Sequence, residues 1–300
     1  MKPLSRRRRS LYLILCILVF VVLVPLTLLY SSGYRLGEHF ALVKTGGIYI
    51  GSNQPGAELY LNNEFVRGVG ILKQGFFVQD LSPGMYTVTV KKEGHYSWEK
   101  VLKVQPQLVV EASAFMLPQE MILTPIPEFL QEGQTATRTA TRRILNPSYA
   151  EATALFATTT TAASANQNIL LAGTKTASST ARVIEGLKKK GDIVLWKEKN
   201  VVLATWVGNN SQAPLYFCGE EHLCNREIPV YAQGVRFFDF YPNGNELVIL
   251  AIDNGVFVAE IDDRSVRNIQ PMYEKPGAEF RIDDDVLFIR DGKLIFSVEL

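Results

Sequence analysis

The sequence lacks the short motifs that carry most familiar catalytic chemistry. It contains no Gly-x-Ser-x-Gly elbow, no His-Glu-x-x-His pair, no Walker loop and no dinucleotide-binding fingerprint. Histidine is scarce, with three in 300 residues, so a histidine-based catalytic triad has few candidates. We therefore expect no catalytic residue, no cofactor and no bound metal, and the sequence predicts a protein that is not an enzyme.

The chain also lacks an excess of charge of either sign. Lys and Arg together number 31, and Asp and Glu together number 30. Five of the basic residues precede a long apolar run near the N terminus, so the remainder of the chain is mildly acidic. Proteins that bind nucleic acid neutralise phosphates with clustered basic side chains. No nucleic-acid partner is therefore expected.

Long runs made almost wholly of apolar residues are absent except for one, at residues 11–30, which also carries no charge. At about 1.5 Å rise per residue, a helix of this length spans about 30 Å, the thickness of a bilayer's hydrocarbon core. We predict a cytoplasmic basic tail at residues 1–10 and a transmembrane helix at 11–32. A cleaved signal peptide is the alternative, but its apolar stretch is usually shorter and a clear Ala-x-Ala cleavage site is missing here.

The four consecutive arginines before the run, Arg6, Arg7, Arg8 and Arg9, predict the orientation of the helix. Basic residues collect on the cytoplasmic side of a membrane span. The N terminus is therefore expected in the cytoplasm, with the lipid bilayer as a partner and everything after the helix on the extracytoplasmic side. This predicts a single-pass protein of the cell membrane.

Cysteine is scarce. Outside the apolar run, the sequence contains only Cys218 and Cys224. In an oxidising exterior this pair is expected to form a disulfide, which for so short a loop stabilises the fold by about 2 kcal/mol. Free thiols and a metal site with His222 are the alternatives. A structural zinc site needs four ligands, and no second cluster of cysteine or histidine is present.

Residues 44–118 show the alternation of apolar and polar side chains that is typical of strands with one buried face. Turn-forming pairs separate the alternating segments, among them Asn62-Asn63, which tolerates positive φ, and Pro83-Gly84, which suits a type II turn. The pattern predicts a small β-sandwich of about six strands.

The turns and strands of this segment resemble those of a PEGA domain. The resemblance rests on a Pro-Gly-Ala turn, a Leu-x-Pro-Gly-x-Tyr segment and a Lys-x-Gly-x-Tyr-like turn, formed here by Pro55, Gly56, Ala57, Leu81, Pro83, Gly84, Tyr86, Gly94 and Tyr96. Two features depart from the family pattern: Asn63 replaces the usual hairpin glycine, and the usual Thr-Pro after the hairpin is missing. The resemblance implies an extracytoplasmic β-module of the cell envelope without catalytic residues.

The remaining chain is predicted to contain a proline-rich linker at residues 119–137 and a propeller-like β-domain at 138–300, which could be partial. Candidate strands are 193–197, 201–206, 215–218, 236–240, 247–252, 256–261, 280–282, 286–290 and 294–298. An internal repeat of about 40 residues, seen in Ile228-Pro229-Val230-Tyr231 and again in Ile269-Gln270-Pro271-Met272-Tyr273, is typical of propeller blades. The last blade is expected to stop short after Val298-Glu299-Leu300, and two alternatives stay open: a closing strand supplied late, or a truncated gene.

Other candidate sites are weak in the sequence. Asp283-Asp284-Asp285 lacks the ligand pattern of a calcium loop, and Asp239, Asp253, Asp262 and Asp263 are expected to be solvated turn residues at strand ends. Lys188-Lys189-Lys190 is expected to be an exposed turn. Trp98, Trp196 and Trp206 could form a carbohydrate platform, but Trp196 and Trp206 fall inside strands, which favours the core.

The fold class expected overall is therefore mainly β: a transmembrane helix, a PEGA-like sandwich and propeller-like β-meander repeats. The favoured function is a binding or structural role at the cell envelope, with an envelope protein or a cell-wall glycan as the partner. Two alternatives remain open. One is an anchored hydrolase with its site at the propeller mouth, which rests on fold analogy alone. The other is an extracytoplasmic sensor that acts through a membrane partner.

Overall fold

The computed structural model describes residues 6–36, 42–52, 54–68, 75–128, 148–157, 184–209, 212–218, 224–242, 244–262 and 264–298. Its fold is mainly β, as expected, with one long helix at the N terminus. Helix α1 (Arg6–Ser31) includes the four arginines and the whole apolar run, and none of its residues is buried. Its mean hydropathy reaches 3.0, and among the described residues it is the one helix long and apolar enough to cross a membrane. The same length and composition also suit a signal sequence.

A short hairpin joins the helix to the first β-module. Its strands are β1 (Tyr34–Leu36) and β2 (Leu42–Lys44), which pair in antiparallel register from Tyr34 opposite Lys44 to Leu36 opposite Leu42. The backbone N–H of Thr45 then donates to the Gly33 carbonyl at 3.0 Å. The end of the helix is thereby hydrogen-bonded to the residue at which the β-module begins.

The first module is a sandwich of two sheets. Its strands are β3 (Gly46–Gly51), β4 (Glu58–Leu61), β5 (Glu64–Gly68), β6 (Gly75–Leu81), β7 (Gly84–Lys91), β8 (Trp98–Val104) and β9 (Val109–Ser113). One sheet has the order β6-β3-β9, with β3 and β9 parallel, and the other has the order β5-β4-β7-β8. The predicted alternation is confirmed, since Ile48, Ile50, Leu59, Val88 and Val90 are fully buried between the sheets.

The turns of the sandwich agree only in part with the expectation. Asn62 and Asn63 adopt φ of 50° and 68°, so the predicted tight hairpin between β4 and β5 is confirmed. The type II turn at Pro83-Gly84 is wrong, because Gly84 does not have positive φ and is instead the first residue of β7. The left-handed residue on this side is Asp80, with φ of 61°, which lies within β6 where its pairing with β3 shifts in register. Asp and Asn tolerate this conformation better than most residues.

The rest of the described chain forms three four-stranded antiparallel sheets and a short helix. The elements are β10 (Leu123–Pro125), α2 (Tyr149–Ala157), β11 (Glu185–Lys190), β12 (Ile193–Glu198), β13 (Val201–Trp206), β14 (Glu227–Tyr231), β15 (Phe237–Phe240), β16 (Leu247–Ile252), β17 (Gly255–Glu260), β18 (Ile269–Tyr273), β19 (Glu279–Asp283), β20 (Val286–Asp291) and β21 (Leu294–Val298). The first sheet is β11-β12-β13-β14, the second is β15-β16-β17-β18 and the third is β10-β21-β20-β19.

The third sheet is completed by a strand from much earlier in the chain. Leu123, Thr124 and Pro125 of β10 pair with Val298, Ser297 and Phe296 of β21. The segment expected to be a linker, 119–137, therefore contributes a strand, and its residues 129–137 lie outside the described part of the chain. The third sheet thus takes its fourth strand from the N-terminal side of the other three.

The internal repeat corresponds to equivalent edge strands. Pro229 of β14 lies opposite Leu203, and Pro271 of β18 lies opposite Phe257, with a register shift at the same point in both sheets. Proline cannot donate to a ladder, and it is accommodated in sheets on edge strands. Both prolines occupy such strands, which explains how the repeat tolerates them.

Of the nine strands expected between residues 193 and 298, eight are present, and the one expected at 215–218 is wrong. Residues Leu215–Phe217 form a 3-10 helix that begins after Pro214. The expected exposed turn at Lys188-Lys189-Lys190 is also wrong, because these residues belong to β11. The Lys188 ammonium pairs with the Asp239 carboxylate at 2.7 Å, and Lys190 donates to the Tyr241 carbonyl, so both cations link the first sheet to the second.

The sheets pack face to face in chain order. One buried cluster lies between the first and second sheets, and another joins the second to the third. Helix α2 covers the third sheet, where Ala152 and Phe156 contact Phe288 and Ile295. Among the described residues, no core cluster joins the third sheet back to the first. The predicted propeller is therefore not confirmed, and three stacked sheets are what the described residues show.

Candidate functional site at the junction of the modules

A cluster of charged residues is buried where the sandwich meets the second sheet. Strand β8 is the edge of its sheet, and its alternation places Trp98, Lys100, Leu102 and Val104 on the face toward the sandwich core. Three of these residues are apolar, but Lys100 is fully buried although it is charged. Burying an unpaired ammonium is very unfavourable, so partners for Lys100 must be close by.

The first partner of Lys100 is Glu260, the last residue of β17, which is 6 % exposed. One Glu260 oxygen accepts from the Lys100 ammonium and from both the backbone N–H and the side-chain amide of Asn268, the latter two at 2.9 Å. The other oxygen accepts from the Trp98 indole N–H at 3.1 Å. Both oxygens of the Glu260 carboxylate therefore accept hydrogen bonds, and two of the donors, Lys100 and Trp98, belong to the sandwich.

The second partner is Asp262, whose carboxylate lies 3.3 Å from the Lys100 ammonium. Asp262 also accepts from the Arg264 guanidinium in bidentate fashion, with Nε and NH2 contributing, and from the Arg264 backbone N–H. Arg264 in turn donates through NH1 to the Glu111 carbonyl of β9 at 2.6 Å. The four residues Lys100, Glu260, Asp262 and Arg264, called the junction cluster below, thus carry two positive and two negative charges.

Polar side chains of the second sheet also bind the backbone of the sandwich. The Asn268 amide accepts from the Glu99 N–H at 3.0 Å and donates to the Glu99 carbonyl at 2.8 Å. The Gln270 amide accepts from the Leu117 N–H at 2.7 Å and donates to the Phe115 carbonyl at 3.1 Å. A free sheet edge is prone to pair with another chain. The Asn268 contacts therefore cover part of the edge of β8 within the molecule itself, and the Gln270 contacts bind the segment that follows β9.

The junction cluster is built to hold two modules together. A buried, charge-neutral network in which the charged groups are hydrogen-bonded to one another favours one relative orientation of the two modules. Neither carboxylate is left with an idle oxygen that faces a cavity. In the described part of the chain, no three side chains of the His, Cys, Asp or Glu type converge as a metal site would require.

Tyr216 is a partly buried tyrosine of the 3-10 helix whose pKa is raised, mainly by burial. Burial, together with the charges of Glu246 and Asp262, raises the pKa of the Tyr216 hydroxyl above its ordinary value. Tyr216 belongs to the 3-10 helix and packs against the core between the first and second sheets. Tyr216 is therefore part of the core shared by the first and second sheets.

The PEGA-like motif residues are spread along the sandwich. Pro55 and Gly56 form an exposed turn with Gly56 at φ of 78°, and Ala57 after them is fully buried. At the other end, the Tyr86 hydroxyl donates to the Ser82 carbonyl at 2.9 Å, which closes the segment that contains Leu81, Pro83 and Gly84. The Tyr86 side chain therefore stabilises this turn.

The last motif turn lies close to the junction. Gly94 adopts φ of 69°, and Tyr96 after it donates its N–H to the Leu117 carbonyl at 2.9 Å. The Tyr96 ring packs against the core between the second and third sheets. The turn therefore takes part in the contact between the sandwich and the sheets.

The disulfide between Cys218 and Cys224 is present, with a Cα–Cα distance of 3.8 Å. The two residues also form an isolated antiparallel bridge directly after the 3-10 helix, whose Phe217 is fully buried. His222, the third member of the alternative metal site, lies outside the described residues. The disulfide thus closes a short loop on the first sheet's side of the molecule.

Two aspartates that were expected to be solvated turn residues are not. Asp262 is 7 % exposed and pairs with Arg264, and Asp239 lies half-buried inside β15 and pairs with Lys188. The three tryptophans form no platform: Trp98, Trp196 and Trp206 are all buried, and Trp98 belongs to a different core from Trp206. Burial of Trp196 and Trp206 agrees with their predicted place in strands.

Sequence reasoning missed the junction cluster, although a signal was there. In the segment Trp98 to Val104, a lysine occupies a position whose neighbours two residues away on either side are apolar and inward. A charge on an inward-facing position requires a buried counter-charge. The partner's identity, Glu260, follows only from the docking of the two modules.

Comparison with known protein families shows that residues 45–118 match the PEGA domain. The match begins at Thr45, which is hydrogen-bonded to the end of α1, and ends at Pro118, one residue after the Gln270 contact. It coincides with the sandwich described above. In a comparison with curated proteins, no match to the chain was found.

Proposed function

We propose, with residues 45–118 taken as a PEGA domain, that the chain is a single-pass membrane-anchored extracytoplasmic protein of the cell envelope. Its role is binding or structural: helix α1 holds the PEGA domain and the three sheets at the membrane, where they engage an envelope protein or a cell-wall polymer. A PEGA domain is a binding or structural type of domain rather than a catalytic one.

The junction cluster is the observation that carries this proposal. It is buried, neutral and shared by the PEGA domain and the second sheet, through the contacts of Lys100 with Glu260 and Asp262. Two modules joined in this way present one composite surface of fixed shape. A fixed surface favours binding because less conformational freedom is lost when a partner docks.

The chemistry of the remaining chain supports the extracytoplasmic location. Disulfides persist in oxidising compartments, and Cys218 is bonded to Cys224. The arginines at the start of α1 favour a cytoplasmic N terminus, since positive charge is retained on that side. With this orientation, every strand of the protein is on the outside.

Topology is tested by thiol labelling in intact cells. A cysteine introduced by Leu294→Cys, at an exposed hairpin position of the third sheet, should react with a membrane-impermeant maleimide added outside. Ser10→Cys, before the apolar run, should react only after the membrane is permeabilised. The opposite pattern would contradict the proposed orientation, and recovery of a shortened chain in the soluble fraction would indicate a cleaved signal instead.

Partner binding is tested by crosslinking in isolated envelopes followed by capture of the full chain. A specific protein or glycan should be recovered with the wild-type chain, and its yield should fall for Lys100→Ala, in which the junction cluster is broken. Lys197→Ala, which removes a partly exposed ion pair with Glu185, is the matched control and should retain the yield. Recovery of no specific partner with any chain would count against a binding role.

A further inference from the structure

The end of helix α1 is fastened to the PEGA domain by several side chains. The Arg35 guanidinium lies 3.8 Å from the centre of the Tyr30 ring and pairs with the Asp80 carboxylate at 2.8 Å. The Gln107 amide donates to the Ser32 carbonyl at 3.3 Å, and its backbone N–H donates to the Thr45 carbonyl. These contacts tie the end of the helix directly to the domain.

These contacts define which end of the sandwich faces the helix. Gly46 follows Thr45 and lies against Gln105, Leu108 and Val104, while Leu81 pairs with Gly46 from the opposite strand. The turn at Gln105–Leu108, the end of β6 and the start of β7 are consequently at one end of the domain. If α1 crosses the bilayer, this end lies at the membrane surface.

Apolar side chains at this end are exposed. Leu42 of the hairpin is 55 % exposed, Leu108 beside Gln107 is 51 % exposed and Met85 at the start of β7 is 47 % exposed. They continue the exposed apolar surface of α1, whose last aromatic residue, Tyr30, is 64 % exposed. Together Leu42, Met85 and Leu108 are called the membrane-proximal surface.

Basic side chains accompany these apolar ones. Lys44 lies two residues from Leu42 on the same face of β2, and its ammonium lies 5.3 Å from the Tyr34 ring and 3.3 Å from the Gln107 side chain. Lys103 lies directly opposite Met85 across β7 and β8, and is exposed. Apolar tips beside lysines and tyrosines match the boundary between acyl chains and headgroups.

We infer that the membrane-proximal surface rests in the outer headgroup layer of the bilayer, where Leu42 and Leu108 enter the acyl boundary and Lys44 and Lys103 contact lipid phosphates. The occupant of this surface is the lipid of the same membrane that α1 spans, so the inference rests on the proposed function. Two attachments, one through the helix and one through this surface, fix the tilt of the PEGA domain on the membrane.

The depth of labelled side chains tests the inference. The full chain is reconstituted into nanodiscs of phosphatidylethanolamine and phosphatidylglycerol, with nitroxides on single cysteines introduced by Leu42→Cys or Leu108→Cys in a Cys16→Ser background. Insertion to about 5–10 Å is usual for interfacial apolar groups. We expect several-fold lower collision with a water-soluble nickel chelate than for Leu294→Cys, a leucine of similar exposure, 59 %, far from the helix in the third sheet.

A label on the native Cys16, which is exposed on α1, separates the two levels of the proposal. The proposal is supported if the label on Cys16 collides with oxygen but not with the nickel chelate, and if the labels at positions 42 and 108 are also shielded from the chelate. Shielded Cys16 with labels at 42 and 108 as accessible as that at 294 overturns this surface but leaves the anchor intact. A chelate-accessible Cys16 overturns the anchor, and the inference with it.

Discussion

Replacing Lys100 by methionine removes the ammonium from the junction cluster while keeping most of the side chain's volume. At 3.3 Å from Asp262, and with an effective dielectric constant of about 20, the lost attraction is about 5 kcal/mol for this pair alone. Loss of the desolvation cost of Lys100 and of its repulsion with Arg264 offsets part of this. Breaking one side of a buried ion pair costs about 3–5 kcal/mol in comparable cases, which is the loss of unfolding free energy we expect.

The assay is urea denaturation of the full chain in detergent micelles, followed by tryptophan fluorescence, because Trp98 donates directly to Glu260. Lys197→Met is the matched control. Its ion pair with Glu185 is partly exposed, so its loss should cost less than about 1 kcal/mol. Equal effects of the two substitutions would refute the reasoning that burial gives the junction cluster its importance.

A double-mutant cycle then separates the ion pair from the loss of packing. Glu260→Gln should be harmful alone, because it leaves Lys100 with one carboxylate. It should be less harmful in the Lys100→Met background, because it removes a carboxylate that has lost its main counter-charge. We expect a coupling energy of about 1–3 kcal/mol for this pair, and additive effects would indicate that the two side chains act independently.

Three further outcomes are expected. Cys218→Ser should lower the unfolding free energy by about 2 kcal/mol, and a reductant should then have no additional effect. Burial and the hydrogen bond to Asp291 raise the pKa of Tyr273 from 10.0 to about 12. The stability that the protonated Tyr273 hydroxyl contributes is therefore complete below pH 10 and is lost as the pH rises through 12. In alkaline denaturation, the Tyr273→Phe variant should not show this loss of stability between pH 10 and 12. Phe156→Ala should cost about 3 kcal/mol, measured by urea denaturation, because the ring is buried between α2 and the third sheet; a cost near zero would indicate that α2 does not pack there.

Period-two alternation was a reliable guide wherever one face of a strand is buried against a core. The alternation predicts the strands that contain Ile48 and Ile50, or Val88 and Val90, because the residues between these buried positions are more polar. The same rule fails for β11, whose consecutive lysines hide the alternation although Lys188 is paired with Asp239. Ion pairs across sheets depend on packing that no local pattern contains.

The candidate site was less accessible to sequence reasoning than the fold. Lys100 carries a local signal, but Glu260, Asp262 and Asn268 lie more than 150 residues away and look like ordinary residues of a strand end and turn. The 3-10 helix at Leu215–Phe217 was likewise unpredictable from apolar content, because three apolar residues suit a strand as well as a helix. The disulfide was predictable, since Cys218 and Cys224 are the two cysteines outside the apolar run and lie six residues apart.

The pairing of β10 with β21 has a consequence for the order in which the protein folds. Leu123 meets Val298, so almost all of the second half of the chain must be made before the third sheet can close. Until β21 has been made, the early strand β10 has no partner in this sheet. Closing so long a loop is slow because contacts distant in sequence form late. Removing the β20–β21 hairpin should therefore leave β10 without its partner, and limited proteolysis should then cleave the chain near Leu123.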